Sequence, residues 1–324
     1  MGLEFLPEEK IAQRVFKINS LKIPFDIEML VKKYATVIYK NIPIIGIDGV
    51  SLNLKMPGKK PTVIVNNNIS TKRQTFTLAH ELGHVIIPWH IGTIVDDIYN
   101  QSYKDYQYSI LEQEANRFAA ELLMPSDWVL VKYIKLKKNL SELQSLIVDK
   151  TGVSDQAGAI KMISLLPKDI SYCAVENGKV LHSGSTNRTN AFPHQIGSNF
   201  NKNLYPYIDN HFIYSSGTIE YHWWKLSSKI TLSTNHNDKR TWREILDNII
   251  EDIAPEGDDK KFKSSINGIV AHANGKIKQE KDYSIDTVVS AVIYRLRRED
   301  MKDFTSHRDF EIFVTRKVES MFNK

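Results

Sequence analysis

Cysteine is almost absent from this 324-residue chain, where Cys173 stands alone. One thiol excludes a disulfide framework within the chain and leaves no cysteine cluster for a structural zinc. Cys173 falls in the apolar run Ser171-Tyr-Cys-Ala-Val175, which reads as a strand carrying a packed thiol rather than a nucleophile. Long apolar runs are also missing. No stretch approaches the roughly 20 residues of a membrane span. The first ten residues, MGLEFLPEEK, lack the basic-then-apolar order of a signal peptide. Gly2 is not followed by Ser or Thr at position 6, where Leu6 stands, which weakens a myristoylation reading.

A strong charge of one sign is lacking as well. Lys and Arg number 43 against 38 Asp and Glu, giving a net charge of +5. The Arg295-Leu-Arg297-Arg298 cluster runs straight into Glu299-Asp300, and Lys55, Lys59 and Lys60 flank Pro57-Gly58, which reads as a solvated turn. Direct nucleic-acid binding is therefore not expected. Internal repeats and low-complexity tracts are absent. The expectation is a cytosolic protein without a membrane segment, with two domains as the default for this length.

Against these absences stands one dense motif. Phe76-Thr-Leu-Ala-His80-Glu81-Leu-Gly-His84 contains H-E-x-x-H inside a run that reads as one helix. At 3.6 residues per turn His80 and His84 lie about 40° apart on one face, one turn apart. Two imidazoles so placed can bind one metal ion. Glu81 lies about 60° round from His84, where its carboxylate can take a proton from water at that ion without ligating it. The pattern arises by chance in roughly 2% of chains of this composition. A chance match would sit on a mixed surface, yet Leu78, Ala79, Leu82, Val85, Ile86 and Ile87 surround this one. Burying two His and a Glu without a metal would be costly. Gly83 weakens the helix relative to Ala, so something is expected to approach the backbone there.

A catalytic zinc takes three protein ligands and keeps a fourth position for water. Two segments offer the third. In the acidic helix near 109–124, Glu112 and Asn116 are one turn apart, so Glu112 can ligate while the Asn116 amide braces a ligand. Glu114 points about 200° away from Glu112 and faces elsewhere, although it is a further acid on that helix. His90 lies where a third His falls in H-E-x-x-H-x-x-G-x-x-H proteases. Ile87 occupies the Gly position of that pattern, while Pro88 can still break the helix. Glu112 is favoured; His90 and Glu114 stay as alternatives.

The two stretches FTLAHELGH and EQEANRFAAELLMP resemble the ImmA/IrrE family of bacterial and phage zinc peptidases. Asp26 opening a helix, Asp48-Gly49-Val50-Ser51 and Thr62-Val-Ile-Val-Asn66 fit the same resemblance, which covers about residues 5–165. It implies Zn2+ held by His80, His84 and Glu112, with Glu81 as catalytic base. It also implies a cytoplasmic enzyme that cleaves a helix-turn-helix repressor and so regulates stress or mobile-element genes.

The expected fold class is α+β, with a zincin-like metallopeptidase domain over 1–167 carrying a small sheet and the H-E-x-x-H helix. Helices are expected at 7–18 and 26–34, and strands at 37–39, 50–54 and 63–66. Ser70 or Thr71 caps the metal helix and Pro88 stops it. Residues 89–107 read as a loop. Over 140–165 the order helix, Gly152, Ser154, helix has a helix-turn-helix shape, but its second helix offers Asp155, Gln156 and only Lys161, so it reads as a closing pair rather than a DNA reader. A β-rich segment is expected over 168–235. The adjacent Trp223 and Trp224 there must face opposite ways, leaving one exposed for a partner or both buried between layers. A helical region over 236–324 reads as a partner or sensor part.

These features point to a zinc-dependent endopeptidase acting on a cytosolic protein encoded by a neighbouring gene. A toxin or phage-defence effector, or a sensor retaining a protease fold, are the other classes. Val63–Asn66 is the expected substrate-binding edge strand. Tyr99, Tyr103, Tyr106, Tyr108 or a His from the C-terminal half are the candidate oxyanion donors.

Overall fold

A computed structural model describes residues 4–44, 46–97, 106–232, 238–253 and 259–322. The chain divides into two compact units, Met1–Leu165 and Leu166–Lys324.

The first unit is α+β. Helices α1 (Pro7–Ile18) and α2 (Ile27–Tyr34) lead into strands β1 (Thr36–Lys40), β2 (Ile47–Leu54) and β3 (Thr62–Asn66). Asp26 caps α2 by accepting from the Met29 amide. Helix α3 (Thr71–Ile86) follows, capped by Ser70, whose side chain accepts from the Arg73 amide. Strand β4 (Gly92–Asp97) precedes α4 (Tyr106–Leu123), α5 (Ser126–Lys135), α6 (Leu140–Thr151) and α7 (Asp155–Leu165).

The sheet has the order β1-β3-β2-β4. Only β1 and β3 run parallel; β2 is antiparallel to both β3 and β4. Two expectations need correction. Residues 92–97, read as loop, form a strand, because pairing with β2 outweighs a short and acidic local sequence. Val63–Asn66 lies inside the sheet, bonded on both sides, and has no edge to offer a substrate. The open edge beside β2 belongs to β4.

The second half of α3, from Thr77 to His84, lies in the core with Leu78, Ala79 and Leu82 buried, while its first turn, Thr71 to Arg73, is exposed. Its close neighbour is α4. A Cβ on Gly83 would stand 3.1 Å from Phe118 Cδ1 and 3.3 Å from Ala115 Cα, so the glycine lets the two helices approach. Gly152 ends α6 in the left-handed conformation at φ 69°, and α7 starts three residues on. Lys161, the one cation of α7, is buried in an ion pair of 2.7 Å with Glu121, and Asp155 pairs with Lys72. Helix α7 thus presents no positive face to a phosphate.

The second unit holds an antiparallel sheet of order β6-β5-β8-β7, from β5 (Ile170–Glu176), β6 (Lys179–Ser185), β7 (Ile208–Ser216) and β8 (Ile219–Leu226). Helices α8 (Trp242–Ile253), α9 (Asp259–Ile277), α10 (Ile285–Leu296), α11 (Lys302–Ser306) and α12 (Phe310–Phe322) complete it. Sheet and helices share one core, in which Cys173, Trp224, Ile245, Val292 and Phe313 pack together. The segments expected at 168–235 and 236–324 are therefore parts of one unit. Burial pushes the Cys173 thiol up to about 12, which leaves it inert. Trp223 and Trp224 are both buried, so neither is exposed for a partner. Trp223 stacks on Tyr172 with centroids 4.9 Å apart, while Trp224 stacks on His194 and His211 on the other face.

Candidate metal centre

Three side chains from two helices converge. His80 and His84 project from α3, one turn apart, and Glu112 reaches them from α4. The His80 Nε2 and His84 Nε2 atoms are 3.0 Å apart. Glu112 places Oε2 at 3.1 Å from His80 Nε2 and Oε1 at 3.4 Å from His84 Nε2. Among the described residues this is the one group of His, Cys, Asp and Glu whose donor atoms gather within 4.8 Å.

The chemistry of the donor set fits a small divalent cation. Two ligands bound at about 2.0–2.1 Å in tetrahedral array stand roughly 3.3 Å apart, which is the size of this triangle. Burial pushes His84 down to about 4, overriding the pull of the Glu112 carboxylate, so the imidazole is neutral near pH 7. Burial works to raise the Glu112 carboxyl, but the facing His80 and His84 imidazoles outweigh it and hold it at about 2. His84 and Glu112 are thus in their ligating forms at neutral pH.

The far nitrogens of the two rings have separate partners. His80 Nδ1 lies 3.0 Å from Asn116 Oδ1, which can only accept, so that ring carries its proton on Nδ1 and a lone pair on Nε2. His84 Nδ1 lies 2.7 Å from His90 Nδ1. His90, in the turn after α3, passes its Nε2 to Glu114 Oε2 at 2.9 Å, and Trp89 Nε1 donates to the same oxygen at 2.6 Å. Neither His90 nor Glu114 enters the triangle. His90 meets His84 at Nδ1 rather than at the Nε2 that faces Glu112, and Glu114 bonds His90.

Glu81 is fully buried and points to β2. Ser51 Oγ donates to Glu81 Oε2 at 2.5 Å. Gly49 lies against the same carboxylate, where a Cβ would collide with Glu81 Oε1 and stand 2.7 Å from Thr77 Cγ2. Two contributors escaped sequence reasoning. Ser51 was legible only as part of an Asp-Gly-Val-Ser string. Lys55, read as solvated turn, reaches back to donate to the carbonyls of His84 at 2.7 Å and Val85 at 2.9 Å, closing the C-terminus of α3. Burial lowers its ammonium to about 8.

Of the expected oxyanion donors, Tyr99 and Tyr103 lie outside the described residues, as does the side chain of Tyr106. Tyr108 sits on α4. No helix among the described residues is long and apolar enough to cross a membrane.

Comparisons with known proteins place this arrangement. Residues 33–157 match the Peptidase_M78 family model, described as the IrrE N-terminal-like domain. The "Uncharacterized immunity region protein 2" of Bacillus phage phi105 is 28% identical over 149 residues, covering 43% of this chain and 89% of that protein. The "Radiation response metalloprotease IrrE" of Deinococcus deserti is 28% identical over 94 residues, and the chain spans only 32% of its length while 26% of this chain is covered. A solved structure, "Mycobacterium tuberculosis transcriptional regulator", aligns at 14% identity with a TM-score of 0.38, covering 55% of this chain and 54% of its own. That likeness is too low to establish a shared fold. The second unit lies beyond the family match. Residues 33–157, which carry His80, Glu81, His84 and Glu112, are thus similar to the IrrE N-terminal-like domain of the Peptidase_M78 family.

Proposed function

We propose that this chain is a zinc-dependent endopeptidase of zincin-like type, with His80, His84 and Glu112 as ligands and Glu81 as general base. The observation that carries the reading is the convergence of three ligand-competent donors beside a buried carboxylate on the same helix. Zinc suits two imidazoles and one carboxylate with no thiolate, and such a set leaves a position for water. A bound zinc ion supplies Lewis acidity and brings the pKa of water to about 7.

The chain's own residues do the rest. Glu81 takes a proton from the attacking water as its oxygen bonds to the peptide carbonyl carbon. It returns that proton to the amide nitrogen as the carbon–nitrogen bond breaks. Ser51 and Gly49 hold the Glu81 carboxylate in one place. The outer edge of β4, unpaired among the described residues, offers backbone groups to an extended substrate.

The substrate reading is a helix-turn-helix repressor or antitoxin-like protein encoded nearby, cleaved in the cytoplasm to release the genes it controls. The names of the two relatives, a radiation response metalloprotease and a phage immunity region protein, support it. The second unit recognises a partner or signal and restrains the peptidase. In its described residues it carries no further metal-ligand cluster, yet it takes up nearly half of the chain.

The test is incubation of wild-type and Glu81→Gln protein with the neighbouring regulator, followed by mass spectrometry. Fragments with wild type and none with Glu81→Gln are expected. Equal fragment yields from both would reject Glu81 as the base.

A further inference from the structure

We propose that His90 and Glu114 are positioning residues that lock His84 in its Nδ1–H tautomer, so that its Nε2 lone pair faces the metal. The inference rests on the metal-centre reading above and extends it to two residues that are not ligands.

The assignment follows from what each atom can do. An ionised carboxylate only accepts. Glu114 Oε2 receives Trp89 Nε1–H at 2.6 Å and faces His90 Nε2 at 2.9 Å, so His90 carries its proton on Nε2. A neutral His90 with its proton on Nε2 has only a lone pair at Nδ1. His84 Nδ1, 2.7 Å away, must then be the donor, and the lone pair of His84 is left on Nε2, inside the donor triangle.

The geometry also argues against His90 as a ligand. The two Nδ1 atoms at 2.7 Å are closer than two ligands of one zinc ion, which stand roughly 3.3 Å apart. A shared proton fits that distance and an ion does not. The relay is buried where it matters, since His90 is fully enclosed. It joins three elements: α3 through His84, the turn at Pro88 through His90, and α4 through Glu114. His80 has its own tautomer partner in Asn116, so each imidazole is oriented by a different element. Outer partners of this kind typically set metal affinity by 10–100-fold.

The experiment uses the full chain, with zinc affinity measured by chelator competition and the His84 tautomer by long-range proton–nitrogen NMR. Wild type is expected to show Nδ1–H on His84. His90→Phe removes the acceptor, and zinc should bind about 10–100-fold more weakly. His90→Asn returns a carbonyl oxygen near the Nδ1 position and should recover affinity to within a fewfold, together with the Nδ1–H signal. Glu114→Leu frees His90 to donate to His84 instead, and a mixture of His84 tautomers should appear; this variant also decides the matter if His90→Phe does not fold. An Nε2–H signal on His84 in wild type, or unchanged affinity and tautomer in the folded variants, would overturn the proposal. Wild-type protein that binds no zinc would instead reject the metal-centre reading itself.

Discussion

Gly49 on β2 lies directly against the carboxylate of Glu81 on α3, with no room for a methyl group between them. Strand and helix thus fix the position of the Glu81 carboxylate, the proposed general base, by close approach, and Ser51, two residues on and on the same face of β2, adds a hydrogen bond of 2.5 Å. Gly49→Ala must displace Glu81 or Thr77. Cleavage is expected to fall by about 100-fold or more, since small misplacements of a catalytic group cost that much. Zinc content should stay at the wild-type level, because no ligand is touched. Metal analysis beside a cleavage assay separates the two; an alanine variant with wild-type turnover would show that Glu81 does not need this position.

Glu112 closes the donor triangle from α4, whereas His90 and Glu114 stay outside it. Glu112→Ala is therefore expected to come through dialysis against a weak chelator with almost no zinc. Glu114→Ala should keep about one zinc per chain under the same treatment, at reduced affinity. The reverse pattern, zinc lost from Glu114→Ala and kept by Glu112→Ala, would reassign the third ligand.

Much of the centre is legible in the sequence because its signals are local. The period of α3, the Ser70 cap and the break at Pro88 all act within one helix, and they place His80, Glu81 and His84 without tertiary information. Glu112 and Asn116 follow from helical spacing in the same way. What is not legible depends on pairing across the chain. Strand β4 forms because β2 is there to bond it, and its own residues read as loop. Strand β3 is internal because β1 joins it in parallel, a crossover that no local pattern encodes. Lys55 looks like a solvated turn until the chain folds back some thirty residues onto the end of α3. Trp223 and Trp224 must face opposite ways in a strand, but that both faces are covered is a property of the packed unit.

Asp169 offers a pH-dependent test in the second unit. Burial pushes its carboxyl up to about 6; Lys168 pulls it down, while Glu280, Asp282 and Asp209 push it further up. Its unfolded value is near 3.9. Between these values the native state binds the proton and the unfolded state does not, so this group's contribution to stability falls as pH rises from about 4 to 6. Asp169 also sits at φ 68°, a left-handed conformation that Asn accepts readily. Asp169→Asn should therefore stabilise the protein by about 1–3 kcal/mol at pH 8 and by little at pH 4. Denaturant unfolding at both values checks it; an equal change at the two would place the effect in something other than this charge.

The two units can be separated by the same logic that divides the chain. Every donor of the candidate metal centre, and every partner named for those donors, lies within residues 1–165. That unit has its own buried residues, among them Leu82, Phe118, Leu143 and Ile147. A chain ending at Pro167 is thus expected to bind about one zinc with near wild-type affinity. If the second unit restrains the peptidase and recognises its partner, the shortened chain should cleave unrelated unfolded peptides faster and the neighbouring regulator no more selectively than those peptides. Mass spectrometry of both digests gives the ratio. A shortened chain that folds, binds zinc and cuts the regulator with unchanged rate and selectivity would remove the second unit from control of the first. Hydrolysis by residues 168–324 alone would assign it a chemistry of its own.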